Sequence, residues 1–556
     1  MSATPRTAAA TEDPEEPATT TPDPAWAAPL WVITGVLGAV LALAPTTIAA
    51  AADRLLPLAM TSGGRGTNYP NMEVALPEGL RLTGLVLMAT AVLTRLATPQ
   101  LASTLFARTG RRTTLVVGAA LAAIGFATYL WYASPPNMFP ANARIHWVDI
   151  WFDRRDDWFY PLIKVHRFFY DVPHLFQAGL GALNTVLLYL IGRVLFDRRW
   201  VAALVALSFL GSAFMLLFAG TAEDVHLALA TLLLAFFAHL ERRPILWGVA
   251  VAMAYLARPP FVLLPLAVVI VEGIADLLDG RPTGLRIAVS GVLRNRFLVV
   301  GSVVGGALIF LWNLGLIVAG VSWITGDSVS SESLSSAMPQ PVDGFTLTRM
   351  SGAFVLHLLW IGGPIVIVAN VVTAAGLRTL PAPVARAIAS GWLFTLLTLL
   401  TLEAQPIYDF SYVNVRYLSY VWPHLLIGGW AALLVPTVRT RHTLLLGLAF
   451  LLTAAPAAAY RADLRLRDQV VDNPYSDLFA HRRELREAAG DGPVAIGSGD
   501  KWVRNYLAYL LKRPVQDVSI DPDEVPDEGL IVTLRDEEIP GEIVIDTGEV
   551  VVLRPG

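Results

Sequence analysis

The sequence predicts a polytopic α-helical membrane protein of about 13 spans, followed by a small C-terminal α/β domain on the extracytoplasmic side. Three observations carry that reading. Of the 556 residues, 55% are hydrophobic and 15% are charged, against about 25% charged in soluble domains. Mean hydropathy is +0.56. Apolar runs near the roughly 20 residues that a bilayer-spanning helix requires recur along the chain. The charges are also uneven: residues 461–556 hold 12 Lys and Arg with 20 Asp and Glu, whereas residues 29–460 hold only 48 charges in all. An ordinary soluble enzyme is excluded, because so much apolar surface could not be hidden from water.

In chain order, residues 1–28 are rich in Ala, Thr, Pro and Glu, with Arg6 as the one basic residue. Such a segment buries too little apolar area to fold and is expected to be a disordered cytoplasmic tail. The run at 29–51 ends in three alanines, but no basic segment precedes it and it is too long for a signal peptide, so it reads as a span. Further spans are expected at 80–98, 114–133, 174–195, 200–219, 223–240, 244–258, 261–278, 297–320, 350–376, 386–404, 413–436 and 442–460. The pair 244–258 and 261–278 is parted only by Arg258-Pro259-Pro260. Proline cannot continue a helical hydrogen-bond ladder, so this unit is either a tight hairpin or one broken helix.

The placement of arginine sets the orientation. With the N-terminus inside, the inner loops hold 17 basic and 5 acidic residues, and the outer loops of 29–460 hold 11 basic and 15 acidic. Basic loops stay on the cytoplasmic side. An odd number of spans then puts 461–556 outside. Lysine occurs only as Lys164, Lys501 and Lys512. That Arg- and Ala-rich usage points to a bacterial chain, hence a multi-pass protein of the bacterial plasma membrane.

The tail at 461–556 reads as α/β. Asp477 to Ala489 is helical in character, and Pro493 to Ile496 is a short strand. Lys501 to Leu511 places Trp502, Tyr506, Tyr509 and Leu510 at helical spacing. Leu530–Leu534 and Glu549–Leu553 read as further strands. The Gly497-Ser498-Gly499-Asp500 turn after a strand lacks a complete nucleotide-binding fingerprint. A scaffold or acceptor-binding domain is the better reading.

Composition removes several chemistries. There is no cysteine, so no thiolate metal site and no thiol nucleophile. No basic domain is present to bind nucleic acid. His146, His166 and His174 are too widely spaced for a convincing ligand set, so neither a metal nor another cofactor is expected.

Ionisable residues among spans are costly and therefore mark candidate sites. Four places stand out. The loop 134–173 carries Asp149, Asp153, Asp156 and Asp157 among Trp147, Trp151, Phe152, Trp158, Phe159 and Tyr160. Interfacial aromatics would lay this loop on the membrane surface, where a carboxylate could serve as general base. The same pattern also fits a solvated interfacial helix. Glu223-Asp224 stands at the start of a span, where helix capping is the simpler role. Arg258 lies alone between two apolar runs. Its planar fork suits phosphate oxygens, though a partner carboxylate such as Glu223 would serve equally. Arg416, followed by Tyr417, opens a later span, where snorkelling to the interface is the plainer role.

In this order, the four places resemble the GT-C class of polyprenyl-phosphate-sugar-dependent membrane glycosyltransferases, in particular the protein-mannosyltransferase and aminoarabinose-transferase type. The likeness runs over about residues 113–520. Its acidic pair followed by aromatics looks like Asp156-Asp157-Trp158-Phe159-Tyr160, with Pro173 starting the next span. Its second acidic site looks like Glu223-Asp224. Its basic residue in a proline-broken span looks like Arg258, a position often held by lysine in relatives. Its Arg-Tyr with a following proline looks like Arg416-Tyr417 and Pro423. Asp149 and Asp153 compete with the pair for the base.

The resemblance implies a sugar carried on a polyprenyl phosphate. Arg258 and Arg416 would hold the phosphate, and Asp156 or Asp157 would deprotonate an acceptor hydroxyl. One inverting displacement would move the sugar to an envelope glycan, lipid or protein acceptor on the outer face. Arabinofuranose or mannose fits the bacterial composition. The alternatives are a lipid-linked glycan flippase or transporter, and a glycan polymerase. A transporter would more often show inverted repeats with paired broken helices, and the sequence shows one broken unit and no repeat.

Overall fold

A computed structural model describes residues 27–55, scattered positions between 81 and 92, and residues 111–132, 161–196, 199–212, 215, 225–274, 295–324, 364–403, 412–435, 474–496, 501–512, 515, 529–536 and 539–555. The order is helices first and a mixed sheet last, as the hydropathy and charge division requires.

The first apolar run forms two helices: α1 (Ala27–Leu43) and α2 (Pro45–Leu55). The expected single span 29–51 is thereby corrected. Pro45 has no N–H to extend the ladder and instead opens a new helix, a position it suits. Gly38 of α1 meets Gly84 closely: a Cβ on Gly38 would sit 2.7 Å from the Gly84 carbonyl oxygen.

Then follow α3 (Arg111–Tyr132), a 3-10 segment at Pro161–Phe169, α4 (Pro173–Phe196), α5 (Arg199–Leu210) and α6 (Val225–Leu240). Next come α7 (Pro244–Ala257), a 3-10 turn at Pro259–Val262, α8 (Leu263–Gly273) and α9 (Arg296–Ile324). The helical part ends with α10 (Pro364–Ala375), α11 (Ala382–Glu403) and α12 (Tyr412–Ala431). Among the described residues, three stretches are long and apolar enough to cross a membrane: Thr113–Trp131, Pro173–Phe196 and Ala382–Leu400. Other apolar helices are shorter, Val225–Leu240 and Pro244–Ala257 among them. Of the 13 expected spans, 442–460, most of 80–98, the first half of 350–376 and the ends of 200–219 and 261–278 lie outside the described residues.

The bundle shares one core. Leu188, Ile191, Phe209, Leu229, Leu232, Phe236, Trp247, Leu264, Phe394 and Trp430 are all buried in it. Between α7 and α9 the helices touch at backbone distance: a Cβ on Gly248 would lie 2.8 Å from the Val304 Cβ and 2.9 Å from the Gly305 nitrogen. In a bilayer the tails are as apolar as leucine, so such small-residue crossings supply the van der Waals contact that holds helices together.

The α7–α8 unit is a hairpin. Glu272, near the end of α8, pairs at 2.6 Å with Arg242, just before α7. One broken helix through 244–273 would hold these residues about 40 Å apart at 1.5 Å per residue. The proline pair turns the chain back on itself.

The C-terminal residues build a separate core. A 3-10 turn (Pro474–Phe479), α13 (Arg482–Ala489) and α14 (Lys501–Leu511) pack on a four-stranded sheet. The strands are β1 (Val494–Ile496), β2 (Leu530–Leu534), β3 (Glu542–Asp546) and β4 (Val550–Arg554), in the order β1-β2-β4-β3. β1 and β2 are parallel, with Ala495 opposite Ile531, and the other pairings are antiparallel. β2 and β4 are buried on both faces, Val532 and Val552 towards the helices and Ile531 and Leu553 away from them. Gly529 enters β2 at φ +111°, where a Cβ would strike Pro493. The strands expected at 494–496 and 530–534 are present, and the last strand runs Val550–Arg554. β3 was not expected; it is an edge strand, exposed at Glu542, Ile543 and Asp546. The Gly497–Asp500 turn and residues 461–473 lie outside the described residues.

Candidate functional site

Arg258 is the best-defined member of the site. It caps α7 in extended geometry, φ −153° and ψ 114°, because the following Pro259 disfavours the helical region for its predecessor. Its N–H donates to the Ala254 carbonyl at 2.8 Å, and its own carbonyl accepts from the Phe261 N–H at 2.9 Å. The residue is 3% exposed. Its guanidinium lies over the Tyr420 ring, 5.2 Å from the centroid. Phe261 meets the same ring edge-on at 4.8 Å. A desolvated cation on an aromatic face gains about 2 kcal/mol.

Helix lengths place Arg258 along the bundle. α6 and α7 pack together and are joined by a tight turn at Glu241–Arg243, with the Arg243 N–H donating to the Ala238 carbonyl. They have 16 and 14 residues, so they run about 24 and 21 Å from that turn. Arg258 therefore returns to the level of the first turn of α6, which Glu223-Asp224 leads into. Non-helical backbone at such depth is tolerated where protein buries it or a cavity receives it.

Arg416 and Tyr417 occupy the first half of α12. Arg416 precedes Tyr420 by one helical turn, so the two positions share a face. The side chains of Arg416 and Tyr417 are outside what the structure describes. Asp149, Asp153, Asp156, Asp157, Glu223 and Asp224 also lie outside the described residues. The structure thus brings together Arg258 and α12, and fixes the segments that border the acidic residues.

One of those segments is the 3-10 stretch starting at Pro161, directly after Tyr160. It packs on α4 and α7. Leu162 joins Leu180, Leu227 and Ala230 in a small cluster. Phe169 stacks on Phe176 at 4.2 Å, and His166 meets Phe176 edge-on at 5.0 Å. Another is the first turn of α6. The Asn184 side-chain amide donates to the His226 carbonyl at 3.0 Å, tying α4 to α6 two residues past Asp224. Tyr129 meets the His226 ring edge-on at 5.0 Å.

Tyr129, Asn184, His226 and Tyr420 were not singled out in the sequence. Asn184 carries a usable signal, being a polar side chain in the middle of an apolar run, and His226 stands at the start of one. Tyr420 carries none, since aromatics are common in spans. Among the described residues no three His, Cys, Asp or Glu side chains stand close enough to hold a metal ion.

Comparison with solved structures bears on this architecture. The chain is similar to a crystal structure of ArnT from Cupriavidus metallidurans bound to undecaprenyl phosphate, with TM-score 0.53 and 13% identity. The match covers 80% of this chain and 98% of that one. The fold is GT-C-like. The apo state of the same ArnT gives TM-score 0.48 at 12% identity over the same shares. No family model and no curated protein matches the sequence.

Proposed function

We propose that this chain is an integral membrane glycosyltransferase that moves a sugar from a polyprenyl-phosphate donor to an envelope glycan, lipid or protein acceptor on the extracytoplasmic face. The observation that carries the reading is Arg258. A buried arginine sits at the tip of a proline-turned hairpin, stacked on Tyr420, level with the entry to α6 and inside a GT-C-like fold. The structure of ArnT bound to undecaprenyl phosphate supports the choice of a polyprenyl phosphate as donor.

In this reading the phosphate meets the guanidinium edge of Arg258, with Arg416 as second cation and Tyr417 beside it. As the sugar–phosphate bond breaks, negative charge grows on the phosphate. A fixed cation in a low-dielectric site stabilises that charge with no reorganisation at the moment of reaction. Asp156 or Asp157 takes the acceptor hydroxyl proton, with Asp149 and Asp153 as the competing carboxylates. Glu223 and Asp224 contact substrate near Arg258. A single displacement inverts the anomeric centre, and a second carboxylate need not imply retention, because the phosphate leaves without needing an acid. The chemistry needs no metal. Arabinofuranose and mannose are the sugars to try first.

The test is transfer from polyprenyl-phosphate sugars by the purified chain in nanodiscs. Transfer is expected from at least one donor and to be lost in Asp156→Asn or Asp157→Asn. Full transfer by both variants would remove the assignment of that pair as base. Failure of every donor, alongside turnover of a lipid-linked oligosaccharide, would favour a polymerase.

A further inference from the structure

The short linker Tyr170–Val172 joins the 3-10 segment to α4. Tyr170 is buried in the core of the C-terminal unit, among Tyr475, Leu485, Tyr506 and Leu510. Its hydroxyl donates to the Leu510 carbonyl at 2.7 Å. Four cations converge on this linker. The Lys512 ammonium lies 4.1 Å and the Arg486 guanidinium 4.9 Å from the Tyr170 ring centroid. Arg482 donates to the Asp171 carbonyl at 3.1 Å, and Arg483 lies 3.8 Å from the Asp171 carboxylate.

Helical spacing puts Arg482, Arg483 and Arg486 within an arc of about 100° on α13. Glu484 lies outside that arc and meets His481 at 2.8 Å. The Arg483 side chain is 72% exposed, and Lys512 is exposed as well. Partial burial and the nearby Arg486 and Arg482 hold the Lys512 ammonium below its ordinary value, with Asp171 opposing. The cations crowd one another, a cost that a bound anion relieves.

The depth of the linker follows from α4. Its 24 residues span about 36 Å, and Pro173–Phe196 is apolar enough to cross a membrane. The hydrocarbon core of a bilayer is about 30 Å thick, and about 40–45 Å with both headgroup layers. Centred on a bilayer, α4 overruns the hydrocarbon by about 3 Å at each end. Asp171 stands two residues ahead of Pro173, so it and the cations held on the linker lie at the depth of the lipid phosphates. This holds for whichever leaflet that end of α4 meets. The apolar residues agree with that depth. Phe168 is 85% exposed, and Val172 and Leu175 are exposed too. Such side chains favour the boundary between headgroups and acyl chains, and arginines beside them favour phosphate oxygens.

We infer that Arg482, Arg483, Arg486 and Lys512 form a docking surface for the headgroups of anionic phospholipids, with Phe168, Val172 and Leu175 inserted at the acyl boundary. The C-terminal unit then rests on the bilayer beside α4 as well as on Tyr170. Each basic residue at an anionic surface strengthens the attraction about fivefold. The inference stands apart from sugar transfer.

The absence of cysteine permits a single reporter. The full chain carrying Phe168→Cys, labelled with a small fluorophore, is placed in phosphatidylcholine nanodiscs. These contain increasing fractions of phosphatidylglycerol or of phosphatidylcholine, brominated high on the acyl chain, so that quenching reports which lipid gathers at the linker. Phosphatidylglycerol is expected to reach half-maximal quenching at a mole fraction at least tenfold lower. Arg483→Gln alone should lose about fivefold of that preference. Adding Lys512→Asn, a residue suited to the left-handed backbone there, φ +60°, should bring the two lipids within about twofold of each other. Arg554→Gln, which removes an exposed charge on β4, should keep the parent's preference. Equal quenching by both lipids in the parent overturns the inference. So does quenching by neither, or a preference that survives both substitutions. If inorganic phosphate abolishes the preference and chloride at equal ionic strength does not, the lipid is overturned as occupant in favour of a free anion.

Discussion

The two ends of the α7–α8 hairpin handle buried charge in opposite ways. At the open end the Glu272 carboxylate, 5% exposed, lies between Arg242 at 2.6 Å and Arg386 at 3.7 Å. Arg242 also covers the Phe297 ring at 5.4 Å. The charge there is balanced by groups of the protein itself, drawn from the α6–α7 turn, α8 and α11. At the tip the charge is positive and is stacked on an aromatic face. An ion pair fixes geometry through both partners. A buried cation beside an aromatic ring is a costly group among membrane helices, and such groups mark candidate functional positions. The open end reads as structure and the tip as function.

The comparison breaks first at Arg258. Arg258→Ala is expected to lower transfer at least a hundredfold while the melting temperature in detergent moves by only a few degrees. Arg258→Lys, which keeps the charge but not the planar fork, should lose about tenfold. If Arg258→Ala instead unfolds the protein, the tip is structural after all.

The next largest effect belongs to Glu272. Glu272→Gln leaves Arg242 and Arg386 without their counter-charge, and because Arg242 is half exposed solvent screening holds the cost to about 1 kcal/mol. A drop in thermal stability is expected, with transfer per folded molecule within twofold of the parent. Loss of activity in protein that is still folded would make the two ends alike.

Tyr420→Leu sharpens the role of stacking. Removing the ring forfeits about 1–2 kcal/mol of cation–π energy, so donor affinity should fall about tenfold, measured by titration with a polyprenyl phosphate. The smallest effect is expected at Arg243. It is exposed and lies 3.9 Å from Glu241, and such surface pairs contribute between 0 and about 1 kcal/mol. Arg243→Ala should change neither melting temperature nor transfer.

The sequence made the hairpin's components visible but not its form. Arg258-Pro259-Pro260 announced an interrupted helix, yet a bend and a reversal have the same local sequence. The pairing of Arg242 with Glu272, thirty residues apart, distinguishes them. The break at Pro45 was readable from one residue and was overridden by the apolar run around it. β3 escaped because edge strands carry acidic, exposed positions that weaken the alternation. The two strands buried on both faces, β2 and β4, were legible as continuous apolar runs. The seating of Tyr170 against Leu510 could not be read at all, since nothing local to either residue names the other.

That last separation has a consequence in time. Tyr170 and Leu510 are 340 residues apart in sequence. At about 5–20 residues per second, Tyr170 leaves the ribosome roughly 20–70 s before its seat exists. The helices that carry Arg258 and Arg416 are made within that interval. The newborn chain thus acquires its lipid-facing half first, and the last stretch to be translated completes the grip on a segment laid down near the beginning.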